Sequence, residues 1–594
     1  MGDGVPRECR YHSVAVGRRT RLHAFGVRAA LGLLFLLNGL AGANAQSGAK
    51  GGIVPELTQK KFEAKSIEAK RSKRLDWQTP VVSGARGAAG TKPLFVLSAV
   101  EVAGATVFSA DEMAASYRPL LGKTVSEQDL LRMVESITER YHVRGFTLSR
   151  AILVPQDVNN GRVRVTVLEG RIESIDLRGE GAERFGARRL LAPLLQQRPL
   201  DLATLERQLL LVKDTPGVRV RDVSIEEIGK ATGRFRLVVH LETWRLWAGF
   251  DLDNRGSPAI GPLQAFSSTA FNSFARGGET LVVNLATTPD VTPELRFGGI
   301  VLDVPIGSQG ARFGLTASYS DIRPDDERRA SHGRIQTEYY ALSGTIVSFR
   351  ARDASLWLTA LAGMRNADET SSLGTIYSDR IRFIGLNAAY QARTETGSTQ
   401  VTLGLRHGFD GLGASESGDA LLSRTDASGE SSKVFLTATQ LQRLSAQWSL
   451  LFAGTAQLTS APLLASEEFY LGGPLFGRAF RGGDVSGDSG WAGLAELRFD
   501  QPVEGALLKS YQLYAFVDSG MVWDRGTEDR GSLTSLGGGI RLSFQDGLRA
   551  GLEVAAPVGD YSASSSSGGL SVFFTLSHAF RSCSDSAVLL CPLP

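Results

Sequence analysis

The sequence predicts a transmembrane antiparallel β-barrel of about 16 strands, preceded by two small α+β domains. Three observations predict it. The N-terminus carries an export signal, the next part of the chain contains an internal repeat, and the second half places apolar residues at every second position.

The N-terminus resembles a cleavable secretory signal. Basic residues as far as Arg28 precede a short apolar run, 29–37, which ends near the small residues Ala43 and Ala45. A membrane-spanning helix needs about 20 apolar residues, so this run is too short to be an anchor. We therefore expect residues 1–45 to be removed on export.

Cysteine usage agrees with an oxidising compartment. Once the signal is gone, only Cys583 and Cys591 remain, both close to the C-terminus. They could form a small local disulfide, but they are too close together in sequence to hold the fold. No metal-ligand spacing surrounds them, and the sequence predicts neither a metal nor a cofactor.

The segment 46–93 is polar. Residues 56–74 are good helix formers with few apolar side chains and a cationic bias, and the small-residue stretch 83–93 is typical of a linker. The composition fits two alternatives equally well: a helix that is solvated or packed against a water-lined protein surface, and a disordered basic tail.

Residues 94–170 and 171–243 form the repeat. Each predicts the order strand, helix, helix, strand, strand, so we expect two α+β domains in series. Ser126 and Asp201 are the expected N-caps of a helix in each unit. The predicted elements are strand 95–108, helices 110–122 and 126–145, strands 147–155 and 161–170, then strand 172–179, helices 182–195 and 202–217, and strands 218–227 and 233–242.

Residues 244–580 predict the barrel, and 581–594 remain as a tail. In 311–320, for example, Phe313, Leu315 and Tyr319 share one face of a strand while small and polar residues share the other. A soluble sandwich shows the same period. Long polar loops, such as 320–338 and 411–432, favour the outer-membrane barrel, which closes all its backbone hydrogen bonds.

Other function classes fit poorly. A formal net charge of +3 lacks the concentrated basic surface of a nucleic-acid-binding protein. The tetrapeptide Gly487–Gly490 spells the GDSG of trypsin-like proteases, but no histidine in the exported chain has a matching context. The sequence therefore predicts that the protein is not an enzyme.

Several segments resemble the two-partner secretion transporters, the haemolysin and filamentous-haemagglutinin secretion/activation proteins. The first repeat resembles their POTRA (polypeptide-transport-associated) domain, and four segments of the barrel region resemble their barrel motifs in the right order. The matching residues are Tyr141, Gly145, Phe146, Ser149, Pro155, Gln156, Gly161, Glu169 and Gly170, then Asp253, Asn254 and Gly256, the segment 304–307, the segment 467–499 and the F-x-D-x-G motif of 516–520.

This resemblance implies POTRA domains in the periplasm and a barrel in the cell outer membrane, in contact with its lipid. The function it implies is to capture a large haemolysin-like or adhesin-like partner protein and pass it unfolded through the barrel. It also implies that the helix of 56–74 plugs the pore, and that periplasmic chaperones and the barrel-assembly machinery assist biogenesis. The alternatives are an outer-membrane assembly factor, which usually carries more POTRA units, and a passive porin, which needs none.

The resemblance further implies a loop that folds back into the barrel and keeps it closed. Its motif residues are Arg478 and Phe480, and the facing strand contributes Asp518 and Gly520. We expect a bidentate pair between the Arg478 guanidinium and the Asp518 carboxylate. Ala479 stands where the family usually has glycine.

Cargo capture is expected at exposed strand edges. In POTRA-type units the second strand lies at a sheet edge, here 148–154 and 218–227, and an edge offers unpaired backbone groups to an incoming strand. The expected cargo-binding residues are Arg219 and Arg221, through charge, and Val220 and Val223, through apolar contact. The alternative is the groove between this sheet and the helix of 202–213.

Overall fold

The structure is a computed structural model that describes residues 90–559, 569–583 and 591–592. The expected signal segment and the expected plug helix lie outside these residues. No helix within the described ranges is both long enough and apolar enough to cross a membrane.

The first domain packs one long helix on a three-stranded sheet. Its helix Glu127–Val143 begins at Ser126, whose hydroxyl accepts from the Asp129 N–H in a reciprocal capping box, as the sequence predicts. The predicted helix of 110–122 is wrong in length: it ends at Ala114, because Pro119 cannot continue the backbone ladder. The elements are β1 (Pro93–Val96), β2 (Ala99–Ala103), the helix Ala110–Ala114, the 3-10 turn Arg118–Leu120, β3 (Thr124–Ser126), the helix Glu127–Val143, β4 (Arg150–Ile152) and β5 (Arg162–Leu168).

The second domain repeats this plan. Its sheet has the order β6-β8-β7, so β7 lies at an edge, as does β4 in the first sheet. The predicted helix of 182–195 is broken into three short turns, because Gly186 takes a left-handed φ of 71° and Pro193 interrupts the ladder. The elements are β6 (Arg171–Arg178), the 3-10 turn Ala182–Phe185, the helix Ala187–Leu191, the 3-10 turn Ala192–Leu195, the helix Leu202–Lys213, β7 (Val218–Glu227) and β8 (Arg234–Thr243).

The two domains share a buried joint. Leu148 of the first domain is 2% exposed and lies in the hydrophobic core of the second. The Arg150 guanidinium donates to both carboxylate oxygens of Glu227, at 3.0 and 2.8 Å. Since Arg150 begins β4, part of the first predicted capture edge is occupied by this joint.

The rest of the chain forms a closed barrel of 16 antiparallel strands, which confirms the predicted fold class. Strand β9 pairs with β10 on one side and with β26 on the other, and this closes the cylinder. The strands are β9 (Leu246–Asp253), β10 (Gln264–Asn272), β11 (Thr280–Thr287), β12 (Leu295–Ile306), β13 (Ala311–Ile322), β14 (Arg334–Arg350), β15 (Ala354–Ser371), β16 (Gly374–Arg393), β17 (Gly397–Gly408), β18 (Ser432–Arg443), β19 (Trp448–Thr459), β22 (Ser489–Pro502), β23 (Leu508–Trp523), β24 (Arg530–Phe544), β25 (Arg549–Pro557) and β26 (Ser571–Arg581).

Shorter elements lie in the loops between barrel strands. The loop between β19 and β22 contains two of them, β20 (Phe469–Leu471) and β21 (Val485–Gly487), which pair as a hairpin. The 3-10 turns are Pro258–Ile260, Glu327–Arg329 and Ala465–Glu467, and β27 (Cys591–Pro592) pairs with the end of β26. Cys583 is disulfide-bonded, and the side chain of Cys591 lies outside the described part of the chain.

The two faces of the barrel differ as the period of two predicts. Phe313, Leu403 and Leu536 are 41%, 45% and 55% exposed, on the outer face. Such exposed apolar side chains occur along many strands and suit contact with lipid acyl chains. The residues between them in sequence face the lumen, where several carry charge.

The second domain is docked on the barrel end from which β9 starts. The guanidinium of Arg350, the last residue of β14, donates to both carboxylate oxygens of Asp214, at 2.7 and 2.8 Å. Arg352 pairs with Glu206 at 2.8 Å, and Val347 is buried in the core of the domain. Arg581, the last residue of β26, pairs with Glu242 at 2.5 Å. Domain and barrel therefore meet through both ion pairs and apolar packing.

Candidate functional site

The loop 460–488, which joins β19 to β22, folds back inside the barrel. Its β20–β21 hairpin lies against β22, β23 and β24 on the face opposite the exposed Leu497, Leu513 and Leu536, so it covers the lumen side. The contact is apolar and buried. The cluster comprises Leu451, Phe469, Leu471, Ala479, Phe480, Val485, Ala492, Leu494, Tyr514, Phe516, Val522, Leu533 and Ala555.

Phe480 and Gly520 both contribute to this contact. Phe480 is 1% exposed within the apolar cluster. A Cβ added to Gly520 would lie 2.8 Å from Leu471 Cδ2 and 2.9 Å from the Trp491 carbonyl oxygen, so only glycine lets the hairpin approach the wall this closely. Both residues of the sequence motif thus have a steric role.

The loop tip turns at Gly477, which has a φ of 74°. A Cβ there would meet the Gly472 nitrogen at 2.9 Å, so glycine is required by both conformation and space. Ala479 is not among the residues with positive φ. Its replacement of the family's usual glycine therefore places no strain on the tip.

Asp518 holds the tip through the backbone. Its carboxylate accepts from the Gly477 N–H at 2.7 Å and from the Arg478 N–H at 3.3 Å. The predicted bidentate pair with the Arg478 guanidinium is therefore wrong. The two motif residues do meet, but at the main chain, because the side chain of Arg478 extends away from the tip.

The Arg478 guanidinium contacts Glu496 instead. Its Nη1 lies 2.6 Å from Glu496 Oε2 and 3.5 Å from Glu553 Oε2. The side chain crosses the ring of Phe516, with Cζ 4.4 Å from the ring centre. Glu496 is directly opposite Phe516 in the β22–β23 register, so Arg478 reaches it from above that ring.

Glu496 and Glu553 are shared with arginines of the wall. Arg498 and Arg541 both pair with Glu496, at 2.7 and 2.9 Å, and the Glu496 side chain is fully buried. Glu553 accepts from Arg255 at 2.7 Å and from the Tyr514 hydroxyl at 2.8 Å. Arg478 thus joins a charge network that spans β22 to β25, in which every carboxylate has more than one donor. We call Arg478, Phe480, Glu496, Asp518 and Gly520 the loop clamp.

Glu467 anchors the start of the same loop. Its carboxylate contacts Arg365 at 2.7 Å, Arg406 at 3.1 Å and the Lys433 ammonium. Burial alone would raise the pKa of Glu467, but these three cations outweigh it and hold the pKa well below its ordinary value. The carboxylate is therefore charged and paired, far from the clamp.

A second loop, 409–431, packs beside the first. Leu422 and Ala427 are buried against Tyr339 and Phe383 on the inner wall. Its Arg424 extends among the carboxylates of Glu468, Asp488 and Asp524, at 3.0, 2.6 and 3.7 Å. These three carboxylates are close enough together to hold a metal ion, but the guanidinium contacts all of them. Both loops follow strands that end on the same side of the barrel, opposite the docked domain.

The expected cargo-binding residues lie on β7, but their side chains have other partners. Val220 and Val223 pack against the core of the second domain. Arg221 pairs with Glu242 at 2.5 Å, and Arg219 lies 4.0 Å from the same carboxylate. Their role in cargo binding stays a prediction, and the edge position of β7 is as expected.

The protease-like serine, Ser489, is the first residue of β22. It is 2% exposed, and its hydroxyl accepts from the Thr459 N–H at 3.3 Å. It thus joins two barrel strands.

The sequence did not single out Glu496, Glu467 or Arg424. The alternation of faces along a strand could have indicated Glu496. It falls on the same buried face of β22 as Ala492 and Leu494, and a carboxylate on that face needs a partner. Arg406 and Lys433 likewise share the lumen face, directly opposite each other. Their shared partner, Glu467, could not be predicted, because it depends on the path of the loop 460–488.

Comparison with known families gives two matches in this chain. Residues 95–170 match "POTRA domain, ShlB-type", and residues 236–542 match "Haemolysin secretion/activation protein ShlB/FhaC/HecB". The second match alone covers more than half of the chain.

Similar proteins point the same way. The heme/hemopexin transporter protein HuxB of Haemophilus influenzae is 22% identical over 463 residues, which cover 75% of this chain and 80% of HuxB. The hemolysin transporter protein ShlB of Serratia marcescens is 25% identical over 411 residues, or 66% of this chain and 70% of ShlB.

Solved structures show the same fold. CdiB from Escherichia coli has a TM-score of 0.71 at 20% identity, with 90% of this chain and 100% of that chain covered. CdiB from Acinetobacter baumannii has a TM-score of 0.63 at 16% identity, with 88% and 97% covered. The chain therefore belongs to the haemolysin secretion/activation protein family ShlB/FhaC/HecB, the two-partner secretion transporters of the outer membrane, which translocate secreted partner proteins.

Proposed function

We propose that this transporter is closed at rest by its inward-folded loop 460–488, and that passage of one large secreted partner requires the loop clamp to release. The observation that carries the proposal is the burial of the β20–β21 hairpin against the inner wall of the barrel. An extended polypeptide needs the lumen that this hairpin occupies.

The contacts of the loop clamp can hold the loop in the closed position at rest, yet they are few enough to break without disturbing the barrel. Its contacts are an apolar seat, two backbone hydrogen bonds to Asp518 and one buried guanidinium–carboxylate pair. Breaking one partner of a buried pair typically costs about 3–5 kcal/mol. The barrel hydrogen bonds do not depend on these contacts, so the loop can leave while the wall stays closed.

Loop 409–431 forms a second closure at the extracellular end. Arg424 links it to Glu468 and Asp488 of the first loop. Movement of either loop breaks these ion pairs, so we propose that both loops open together.

Cargo capture on the periplasmic side fits the backbone of β7. The strand is at the edge of its sheet, and its outer N–H and C=O groups can pair with an added strand. Because the arginines of β7 are paired with Glu242, we propose that affinity comes from the main chain, with selectivity from nearby side chains.

The partner is proposed to be a haemolysin-like or adhesin-like protein, as the names of the hemolysin transporter ShlB and its relatives suggest. Periplasmic chaperones and the barrel-assembly machinery are proposed to act in biogenesis. No chemical reaction on the cargo is part of the proposal.

A disulfide between the hairpin and the wall tests the closure. A Cβ built on Gly531 of β24 would lie 3.6 Å from the Cβ of Val485 in β21, within the range of about 3.5–4.5 Å for disulfides. We expect Val485→Cys with Gly531→Cys to secrete no cargo when oxidised and to recover when reduced. The single variant Val485→Cys is the control. Normal secretion by the oxidised pair would contradict the proposal.

A further inference from the structure

An apolar groove of about 510 Å³ lies on the outer face of the barrel, across β9 to β13. Its floor is made by the small residues Ala265, Ser267 and Gly298. Leu285 and Tyr319 stand beside this floor, since both are register partners of Gly298. The other side is bounded by Phe250, opposite Ser267.

The groove belongs to the lipid-facing surface. Phe250, Leu285 and Tyr319 are 45%, 54% and 40% exposed, which is the orientation of the apolar residues that meet acyl chains. The outer face carries many apolar side chains, but here small residues create a depression between larger ones. A depression of this kind can hold one flexible chain along its length.

Arg296 stands at the extracellular end of the groove. It is the second residue of β12, a strand that descends from the extracellular side, and it is exposed. Asp321 lies opposite it, but that carboxylate is paired with Arg334 at 2.5 Å and lies 3.8 Å from Arg323. Within the ranges that the structure describes, Arg296 has no hydrogen-bond or ion-pair partner.

We propose that the groove binds one acyl chain of a phosphorylated outer-leaflet lipid, and that Arg296 binds its phosphate. An unpaired guanidinium above an apolar channel matches an amphiphile with an anionic head and a hydrocarbon tail. A guanidinium can bind phosphate through two parallel hydrogen bonds. At this depth the source of both groups is the lipid A part of lipopolysaccharide, which forms the outer leaflet.

The barrel offers a matched control for the arginine. Arg530 is the first residue of β24, another strand that descends from the extracellular end, and it is exposed with its neighbours Gly531 and Leu533 buried. It therefore has the same position and orientation as Arg296 but stands away from the groove. For the groove itself, a Cβ on Gly298 has no neighbour closer than Leu285 Cδ2 at 4.0 Å, so the backbone accepts a side chain here and Gly298→Leu places an isobutyl group in the depression.

The test is native mass spectrometry of the full-length transporter released from detergent, with bisphosphorylated lipid A titrated in. We expect one retained lipid A on the wild type. Arg296→Gln and Arg296→Glu should weaken retention about tenfold or more, as loss of a charge-assisted contact predicts. Gly298→Leu should weaken it by a similar factor, because its side chain occupies the place of the acyl chain. Arg530→Glu should leave retention unchanged. Heat-modifiable mobility in gels checks that each variant is folded.

Four results would overturn the proposal. Equal retention of dephosphorylated lipid A would remove the role of the phosphate, and equal retention of phosphatidylethanolamine would remove the selectivity. An equal loss in Arg530→Glu would reduce the effect to general charge at the membrane surface. Wild-type retention in both Arg296 variants would place the lipid elsewhere.

Discussion

Arg478 contacts the barrel wall in two ways, through its backbone and through its side chain. Its N–H belongs to the turn held by Asp518, whereas its guanidinium ends at Glu496 on the neighbouring strand. Loss of the guanidinium leaves Glu496 with Arg498 and Arg541, so the network persists without the loop. The two parts can therefore be tested one at a time.

We expect Arg478→Ala and Glu496→Ala each to raise the ion conductance of the purified barrel in planar bilayers, because each removes the guanidinium–carboxylate contact between loop and wall and so weakens the loop's hold. Removing one partner of a buried pair typically costs about 3–5 kcal/mol. The double variant should conduct less than two independent effects predict. Arg498→Ala, which leaves the loop contact in place, is the control, and strictly additive conductance would contradict the pairing.

Motif residues could be located from the sequence, but their partners could not. Arg478, Phe480, Asp518 and Gly520 do meet in the structure, whereas the guanidinium partner was missed. A partner depends on strand register, which places Asp518 opposite Leu494 and Glu496 opposite Phe516. Carboxylates on two neighbouring strands, Glu496 on β22 and Asp518 on β23, are therefore equally plausible partners of Arg478 until the register is known.

Strand β7 shows how one extra residue alters a predicted surface. Its register shifts between Val220 and Asp222, so Arg221 is a bulge. With strict alternation, Val220 and Val223 would face opposite sides of the sheet. The bulge turns both toward the core, so the exposed parts of this edge are its backbone and polar side chains such as Arg221 and Ser224.

We expect Ser224→Pro to weaken binding of the cargo's N-terminal fragment to the full-length transporter, because proline removes a donor and fixes φ. Calorimetry in detergent measures the binding, and circular dichroism checks that the sheet is retained. Asp176→Pro, on the opposite edge strand β6, is the matched control. Equal binding by both variants and the wild type would place capture away from β7.

The starts of two helices could be predicted from the sequence, whereas the ends of other helices and strands could not. The caps at Ser126 and Asp201 were predicted and are present. The helices expected over 110–122 and 182–195 are shorter, since a proline or a left-handed glycine interrupts each. Barrel strands range from 8 residues in β9 to 20 in β16. The average number of residues per strand and loop therefore predicts how many strands there are, but not where each begins and ends.

At the scale of the whole molecule, ion pairs fix the second α+β domain to the barrel rim. Arg350 ends β14 and Arg352 follows it, and they pair with Asp214 and Glu206 of the domain. These side chains are largely buried, so their loss should cost more than that of an exposed pair.

We expect Arg350→Ala with Arg352→Ala to speed hydrogen exchange of the helix Leu202–Lys213 and to lower secretion, because the domain loosens from the rim. Arg234→Ala is the control, since it removes an exposed pair with Glu173 inside the same domain. Exchange that stays at the wild-type rate would show that apolar packing alone holds the joint.

The polar contacts of the docked domain lie on one side of the periplasmic end of the barrel. Its hydrogen bonds and ion pairs reach the turns after β10, β12 and β14. Over the described ranges, none reaches the turns after β18, β22 or β24. The periplasmic opening of the barrel is therefore most accessible on the side of β18 to β24. The hairpin rests on β22 to β24, so we propose that cargo entering on this side meets the same wall as the loop and displaces it.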